Sequence, residues 1–191
     1  MDFNEVLAKR HSVRTYKNKA VSWRDVVEAA DAVRTIPLAG NNNNIKILIT
    51  FDPEKIAKLA QYAEQSWIAD ASMVAVVCSE EEVLEKMYGE RGRVYSRQQA
   101  GAAIQTFLLK LVDRGIGACW VGTYEDHKVR RLFEIPEHIQ IEALIPIGYE
   151  KAKSVAQKYK RSLKGLTYWE KWKQKEIPSF FKEPSLLRES R

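Results

Sequence analysis

Two arginines, an imidazole and a hydroxyl fall within five residues near the N-terminus: Arg10, His11, Ser12 and Arg14. Along an extended backbone alternate side chains point the same way, so Arg10, Ser12 and Arg14 can converge on one ligand. Two guanidiniums and a hydroxyl on one face suit a phosphate, because guanidinium offers forked donors to its oxygens. The competing reading is a solvated basic surface at a helix end.

Positioning these groups falls to the elements around them. Phe3, Val6 and Leu7 have the spacing of one apolar helix stripe that finishes near Lys9. Ser22-Trp23-Arg24-Asp25 reads as a capping box opening a second helix, with a stripe of Val26, Val27, Ala30 and Val33 that ends before Pro37. Pro37 to Asn44 is a loop of turn-tolerant residues. Ile45 to Phe51 is a strand, and Asp52-Pro53 caps a helix that continues through Ile56, Leu59 and Ala60. A buried strand is expected at Met73 to Cys78, and a short helix from Ser79-Glu80-Glu81-Glu82.

After Gly89 and Gly92 comes the longest periodic run, Gln98 to Arg114. It has so little polar surface that it is expected to be buried on most sides and stopped by Gly115. A strand ending at Gly122 follows, then a helix over Glu125 to Phe133. The last strand, Ile139 to Tyr149, sets Ile141, Ala143 and Ile145 against Glu142, Leu144 and Pro146. Pro146 implies an edge or a bulge there.

The 191 residues, with 45% hydrophobic and 29% charged content, describe one globular domain with a real core. No apolar run is long enough to span a membrane, and Asp2, Asn4 and Glu5 do not resemble a signal peptide, which makes the cytoplasm the expected compartment. Cys78 and Cys119 lie in apolar runs and read as buried free thiols. His11, His127 and His138 lack metal-ligand spacing, so no metal is expected. No hydrolytic triad and no G-x-G-x-x-G occurs. The net charge of +6 is uneven: residues 151–191 hold 12 Lys and Arg against four Asp and Glu. That asymmetry admits nucleic acid, an anionic cofactor or a solvated arm.

Arg10-His11-Ser12-Val13-Arg14-Thr15-Tyr16 resembles the opening motif of the FMN-dependent nitroreductase family, R-[RH]-S-x-[RK]-x-[FY]. The resemblance extends in order over roughly residues 3 to 166. It takes in the Asn41 loop, Gln65 before the second strand, Ala100-Gly101-Ala102-Ala103 through Val121-Gly122, the run Ile145 to Gly148, and Lys160-Arg161. It implies an α+β fold with a mixed, mainly antiparallel sheet flanked by helices and an extended C-terminal arm. The FMN-binding domain would be residues 1–165, and residues 166–191 the arm.

By the same resemblance FMN is bound by Arg10, His11, Ser12, Arg14, Asn41, Gln65, Val121, Gly122, Lys160 and Arg161. Arg10 and Arg161 would hold its phosphate, Arg14 would lie near the pyrimidine edge, and the turn at Gly122 would present a backbone N–H to the ring. No protein side chain is expected to be catalytic, since the cofactor carries the chemistry. NAD(P)H would be a transient donor, the acceptor a nitroaromatic, quinone or flavin, and the assembly a homodimer with FMN between the subunits. Small residues Ala100 to Ala103 would let helices approach closely at that interface, and residues 79–96 with the arm would form a pocket lid. Two alternatives stand beside this reading: a basic nucleic-acid-binding module, and an FMN protein specialised for dehalogenation, azoline oxidation or flavin fragmentation.

Overall fold

The computed structural model describes residues 1–151 and 162–177. The chain divides into two compact units, Met1–Ser154 and Val155–Arg191. In the first, four strands form a sheet of order β1-β2-β4-β3 with every neighbour antiparallel: β1 (Ile45–Thr50), β2 (Met73–Glu80), β4 (Ile139–Gly148) and β3 (Gly117–Ala118). Helices α1 (Phe3–Lys9), α2 (Trp23–Ala32), α3 (Pro53–Tyr62), α4 (Glu81–Tyr88), α5 (Glu90–Asp113) and α6 (Asp126–Phe133) cover it.

Every β2 residue from Met73 to Ser79 is buried, because both faces of the sheet are covered. One face packs Met73, Ala75 and Val77 against Val26 and Ala29 of α2, Val33 just after it, and Ala103, Ile104, Phe107 and Leu111 of α5. The other packs Val74, Val76 and Cys78 against Ile56, Leu59 and Ala60 of α3 and Val129 of α6. The result is a three-layer helix–sheet–helix α+β arrangement. Helix α3 begins as its sequence predicts: Asp52 accepts from Glu54 N–H at 2.9 Å, with Pro53 at the first position. The second unit contains a short 3₁₀ turn, Leu163–Gly165, and a Tyr168–Trp172 ring contact at 4.8 Å.

Several expectations are corrected. Ser22 does begin α2, but its side chain makes no capping hydrogen bond, so no capping box forms. In α1 only Val6 is buried; Phe3 and Leu7, one turn apart, are exposed. Val27 of α2 is exposed as well, and Ala29 takes a core position instead. Helix α5 starts at Glu90, not after Gly92. Gly92 lies inside it, where a Cβ would overlap the Leu84 backbone carbonyl, so the glycine serves the α4–α5 approach rather than ending a helix. Ala100 and Ala103 are buried in this chain's own core.

Strand β4 departs furthest from its sequence pattern. It lies between β2 and β3, not at an edge. Its register with β2 runs Val77↔Ala143 and then Cys78↔Ile141, which leaves Glu142 as an extra, bulged residue. The bulge reverses the side-chain phase: Ile141 joins the α3–α6 face, whereas Ala143 and Ile145 stay on the α2–α5 face. Pro146 pairs in register with Val74. Its missing N–H falls on the β3 side, where Cys119 N–H donates to the Pro146 carbonyl at 3.3 Å and the return bond cannot form. Regular β3 pairing therefore stops at Ala118, and an isolated bridge resumes it at Val121↔Leu144.

Candidate functional site

The segment after α1 becomes an extended strap laid on the end of the sheet. Arg10 takes an extended conformation as α1 ends. Val13 N–H donates to the Ala118 carbonyl at 3.0 Å, and Ser12 bridges Ala118 in parallel sense. Further on, Lys17 N–H donates to Tyr149 at 2.8 Å and Lys151 N–H to Thr15 at 3.1 Å. Val13 and Tyr16 turn inward and are buried, leaving Ser12, Arg14 and Thr15 exposed and Arg10 half-buried. The Tyr16 hydroxyl donates toward two carbonyls, Val13 at 2.9 Å and Pro146 at 3.0 Å. Burial raises its phenol well above the usual range, with the nearby Cys119 adding to this and Arg14 opposing it.

Two glycines make room for the strap. Gly117 and Gly148 are cross-strand partners. A Cβ on Gly117 would lie 2.9 Å from Val13 Cγ2, and one on Gly148 would lie 2.6 Å from Tyr16 Cδ1. Neither has a backbone angle that demands glycine; close approach does.

Cys119 reports how the strap's polar groups converge. Burial raises its thiol, while the Arg14 charge, a hydrogen bond with the Ser12 side chain and the Arg10 charge all pull it down. Arg10, Ser12 and Arg14, at alternate positions of the strap, are thus all near enough to influence this thiol. No ion pair engages either arginine among the described residues. The Arg14 guanidinium lies 6.0 Å from the Trp67 ring centroid, and the Tyr16 ring lies 6.4 Å from it. His11 is held differently, between the Lys9 carbonyl at 2.7 Å and the Glu150 carboxylate at 2.8 Å.

The other sequence candidates are placed as follows. Gln65 is half-buried and precedes the 3₁₀ turn Ser66–Asp70 that carries Trp67. Val121 is buried and exchanges hydrogen bonds with Leu144 at 2.9 and 3.0 Å; Gly122 follows it and is exposed. Asn41 is exposed, at φ 55°, and no hydrogen bond or ion pair joins it to the strap among the described residues. Lys160 and Arg161 lie outside the described residues.

A polar lock next to the Asn41 loop escaped the sequence reading. Asn44 is buried, donates to Ser96 Oγ at 2.7 Å and accepts from Gln99 Nε2 at 2.7 Å. Gln99 also accepts from Ala39 N–H at 2.5 Å, which ties the loop to α5. Ser96 and Gln99 share one face of α5 with buried apolar residues, and that was the available signal.

The comparisons with known proteins agree with this architecture. The chain matches the nitroreductase family model over residues 7–81 and 59–149. It is 30% identical over 154 residues, 78% of each chain, to a Methanothermobacter thermautotrophicus protein whose name proposes NADH dehydrogenase/NAD(P)H nitroreductase activity. It is 20% identical to the iodotyrosine deiodinase of Thermotoga neapolitana over 161 residues, 76% of this chain and 87% of that one. An FMN-dependent nitroreductase from Clostridium difficile shares its fold with a TM-score of 0.75 at 19% identity, covering 87% of this chain and 98% of that one. Matched along most of its length by the family model, the chain belongs to the nitroreductase family of oxidoreductases.

Proposed function

We propose that the chain is an FMN-dependent oxidoreductase that takes electrons from NAD(P)H and passes them to a small organic acceptor. The observation that carries this reading is the extended strap, held on the sheet by Val13 and Ala118, that carries Arg10, Ser12 and Arg14 at alternate positions with no acidic partner for either arginine among the described residues. That donor set fits a phosphorylated cofactor, since guanidinium and hydroxyl groups are the groups that hold phosphate oxygens. Bound there, FMN would supply the hydride and electron chemistry. Arg10 and Ser12 would bind it. Arg14, backed by Trp67, would place a positive charge beside its ring. Gln65 would stand at the pyrimidine edge, and Val121-Gly122 would bring backbone close to the ring. His11 would orient the strap through Glu150. The names of the Methanothermobacter and Clostridium proteins support this assignment of donor and cofactor.

A homodimer is part of the proposal. Helix α5 shows a half-exposed face of Val94, Gln98, Gly101, Ala102, Gln105 and Leu109. Phe3 and Leu7 of α1 and Trp23 and Val27 of α2 add exposed apolar pairs on helices that both contact α5. Such surface usually marks an interface. Gly101 has no atom within 4 Å of its Cβ position, so a partner helix could approach there. Asn41, apart from its own strap, would then line the partner's cofactor site, and the arm of residues 166–191 would lie across the partner.

A second reading keeps the fold and cofactor but makes the reaction reductive dehalogenation, as the name of the Thermotoga relative suggests. The test is the visible absorption spectrum of the purified protein with added FMN, followed by anaerobic reduction with NADH and NADPH. Bound FMN that bleaches with either donor is expected. Failure of FMN to bind, or binding undiminished in Arg10→Ala, overturns the assignment. Turnover of nitroaromatics against halophenols then separates the two reactions, and light scattering at low and high salt tests the dimer.

A further inference from the structure

A cavity of about 630 Å³ opens between the run Tyr16 to Ala20 and the run Ala69 to Ser72, with Lys151 also lining it. None of Arg10, Ser12 and Arg14 belongs to its lining, so it is separate from the phosphate cradle proposed for those three residues. Its lining holds three lysines, Lys17, Lys19 and Lys151, and one acid, Asp70. None of the four is ion-paired among the described residues. The wall is thus two positive charges in excess.

Two further features give the cavity a direction. Ser72 is fixed by its backbone, whose N–H donates to the Ile147 carbonyl at 2.9 Å. Its Oγ accepts from Val21 N–H at 2.9 Å, and its own proton meets no acceptor among the described residues, so a hydroxyl donor remains for a ligand. Lys19 is held near the cavity by the Tyr149 ring, its Nζ 4.5 Å from the centroid. The rest of the lining is Asn18, whose amide adds a neutral polar group, and the apolar Ala20, Ala69, Ala71 and Tyr16 ring, whose hydroxyl is already spent on Val13 and Pro146.

We propose that this cavity is a second anion site that binds a small phosphate monoester as its dianion. Two excess positive charges match the two negative charges of a phosphoryl group above its second ionisation, near pH 6. Ammonium groups and a hydroxyl supply donors for its oxygens. The volume falls in the range of small-molecule pockets and far exceeds a bare phosphate, and the alanine and tyrosine surface is left for the ester's organic body. The proposal does not depend on FMN binding.

The test is amide NMR of the full chain labelled with ¹⁵N, titrated at pH 7.5 with phenyl phosphate, inorganic phosphate and benzoate, with and without FMN. Saturable shifts are expected at Lys17 to Ala20 and Ala69 to Ser72, strongest for phenyl phosphate, and persisting in Arg10→Ala. Lys19→Gln combined with Lys151→Gln should weaken phenyl phosphate about tenfold, the combined effect of two partly solvated charges. The same double variant should leave FMN-induced shifts at Arg10 to Arg14 unchanged. Shifts confined to Arg10 to Arg14, or affinity unchanged in the double variant, overturn the site. Benzoate or inorganic phosphate binding as tightly as phenyl phosphate overturns the ester assignment. Absence of FMN shifts at Arg10 to Arg14 bears on the flavin reading alone, because the two sets of amides report separately.

Discussion

His11 and Glu150 close a tie between the N-terminal strap and the end of β4, with Nε2 2.8 Å from Oε1. The other ring nitrogen lies 2.7 Å from the Lys9 carbonyl, which can only accept. Both neighbours are acceptors, so the ring is held between two groups that each take a donor. With Tyr16 bridging Glu150 through the backbone, the tie spans the whole cradle.

Glu150→Gln keeps an acceptor oxygen for His11 and removes the charge. Both side chains are partly exposed, so the pair is worth about 0.5–1 kcal/mol. FMN affinity should fall two- to fivefold, measured by quenching of flavin fluorescence. An unchanged dissociation constant would show that the tie does not position the cradle.

Arg14 stands over Trp67, exposed and without a carboxylate partner among the described residues. A cation beside the cofactor ring favours its reduced, more negative form. Arg14→Gln should therefore move the reduction potential to more negative values, read by anaerobic dye equilibration, even where FMN is still retained. A potential equal to that of the unaltered protein removes this role from Arg14.

The Gly117–Gly148 pair lets Val13 and Tyr16 lie on the sheet. Gly148→Ala sets a Cβ 2.6 Å from the Tyr16 ring, a group held by two hydrogen bonds and unable to move freely. The expected cost is about 1–3 kcal/mol of stability. FMN affinity should fall with it, because the displaced Tyr16 carries the strap. Gly165→Ala is the control, since nothing lies within 4 Å of that Cβ position. Urea unfolding midpoints that are equal for the two variants would refute the close-approach argument.

What the sequence made legible was local. The strap could be read because basic and hydroxyl groups recur at alternate positions, Arg10, Ser12 and Arg14, and β2 because a strand covered on both faces has few polar positions to interrupt the run. The start of α3 was legible because Asp52-Pro53 acts within one turn. The features that went unread depend on distant partners. Gly92 reads as lying before the long helix until Leu84 is seen against it. The bulge at Glu142 exists only in the register between β2 and β4, and the face exchange of Ile141 follows from it. In the run Asn41 to Asn44 nothing local distinguishes the exposed Asn41 from the buried Asn44; only Ser96 and Gln99, more than fifty residues on, do so.

The bulge also sets up a pH dependence. It aims the Glu142 carboxylate at Ser79, whose hydroxyl donates to it at 2.5 Å, with Arg97 Nε at 3.6 Å. Arg97 is committed more closely to Glu81, at 2.6 Å. Burial is the largest influence on Glu142 and raises its carboxyl above the ordinary value, against the opposing pull of Ser79 and Arg97. Below the ordinary carboxylate range both folded and unfolded chains hold this proton, and the contribution of Glu142 to stability is fully present. As the pH rises through that range the unfolded chain releases the proton first. The folded chain keeps it until its own higher value is passed, so across the interval folding takes up a proton and stability falls with rising pH. Glu142→Gln preserves the acceptor for Ser79 and cannot ionise. Urea unfolding of both proteins across pH 4 to 7 should show the variant gaining on the unaltered chain as pH rises, with the gap levelling off once Glu142 is ionised in both states. A gap that stays constant, or that closes with rising pH, would mean that Arg97 and Ser79 outweigh burial at this carboxylate.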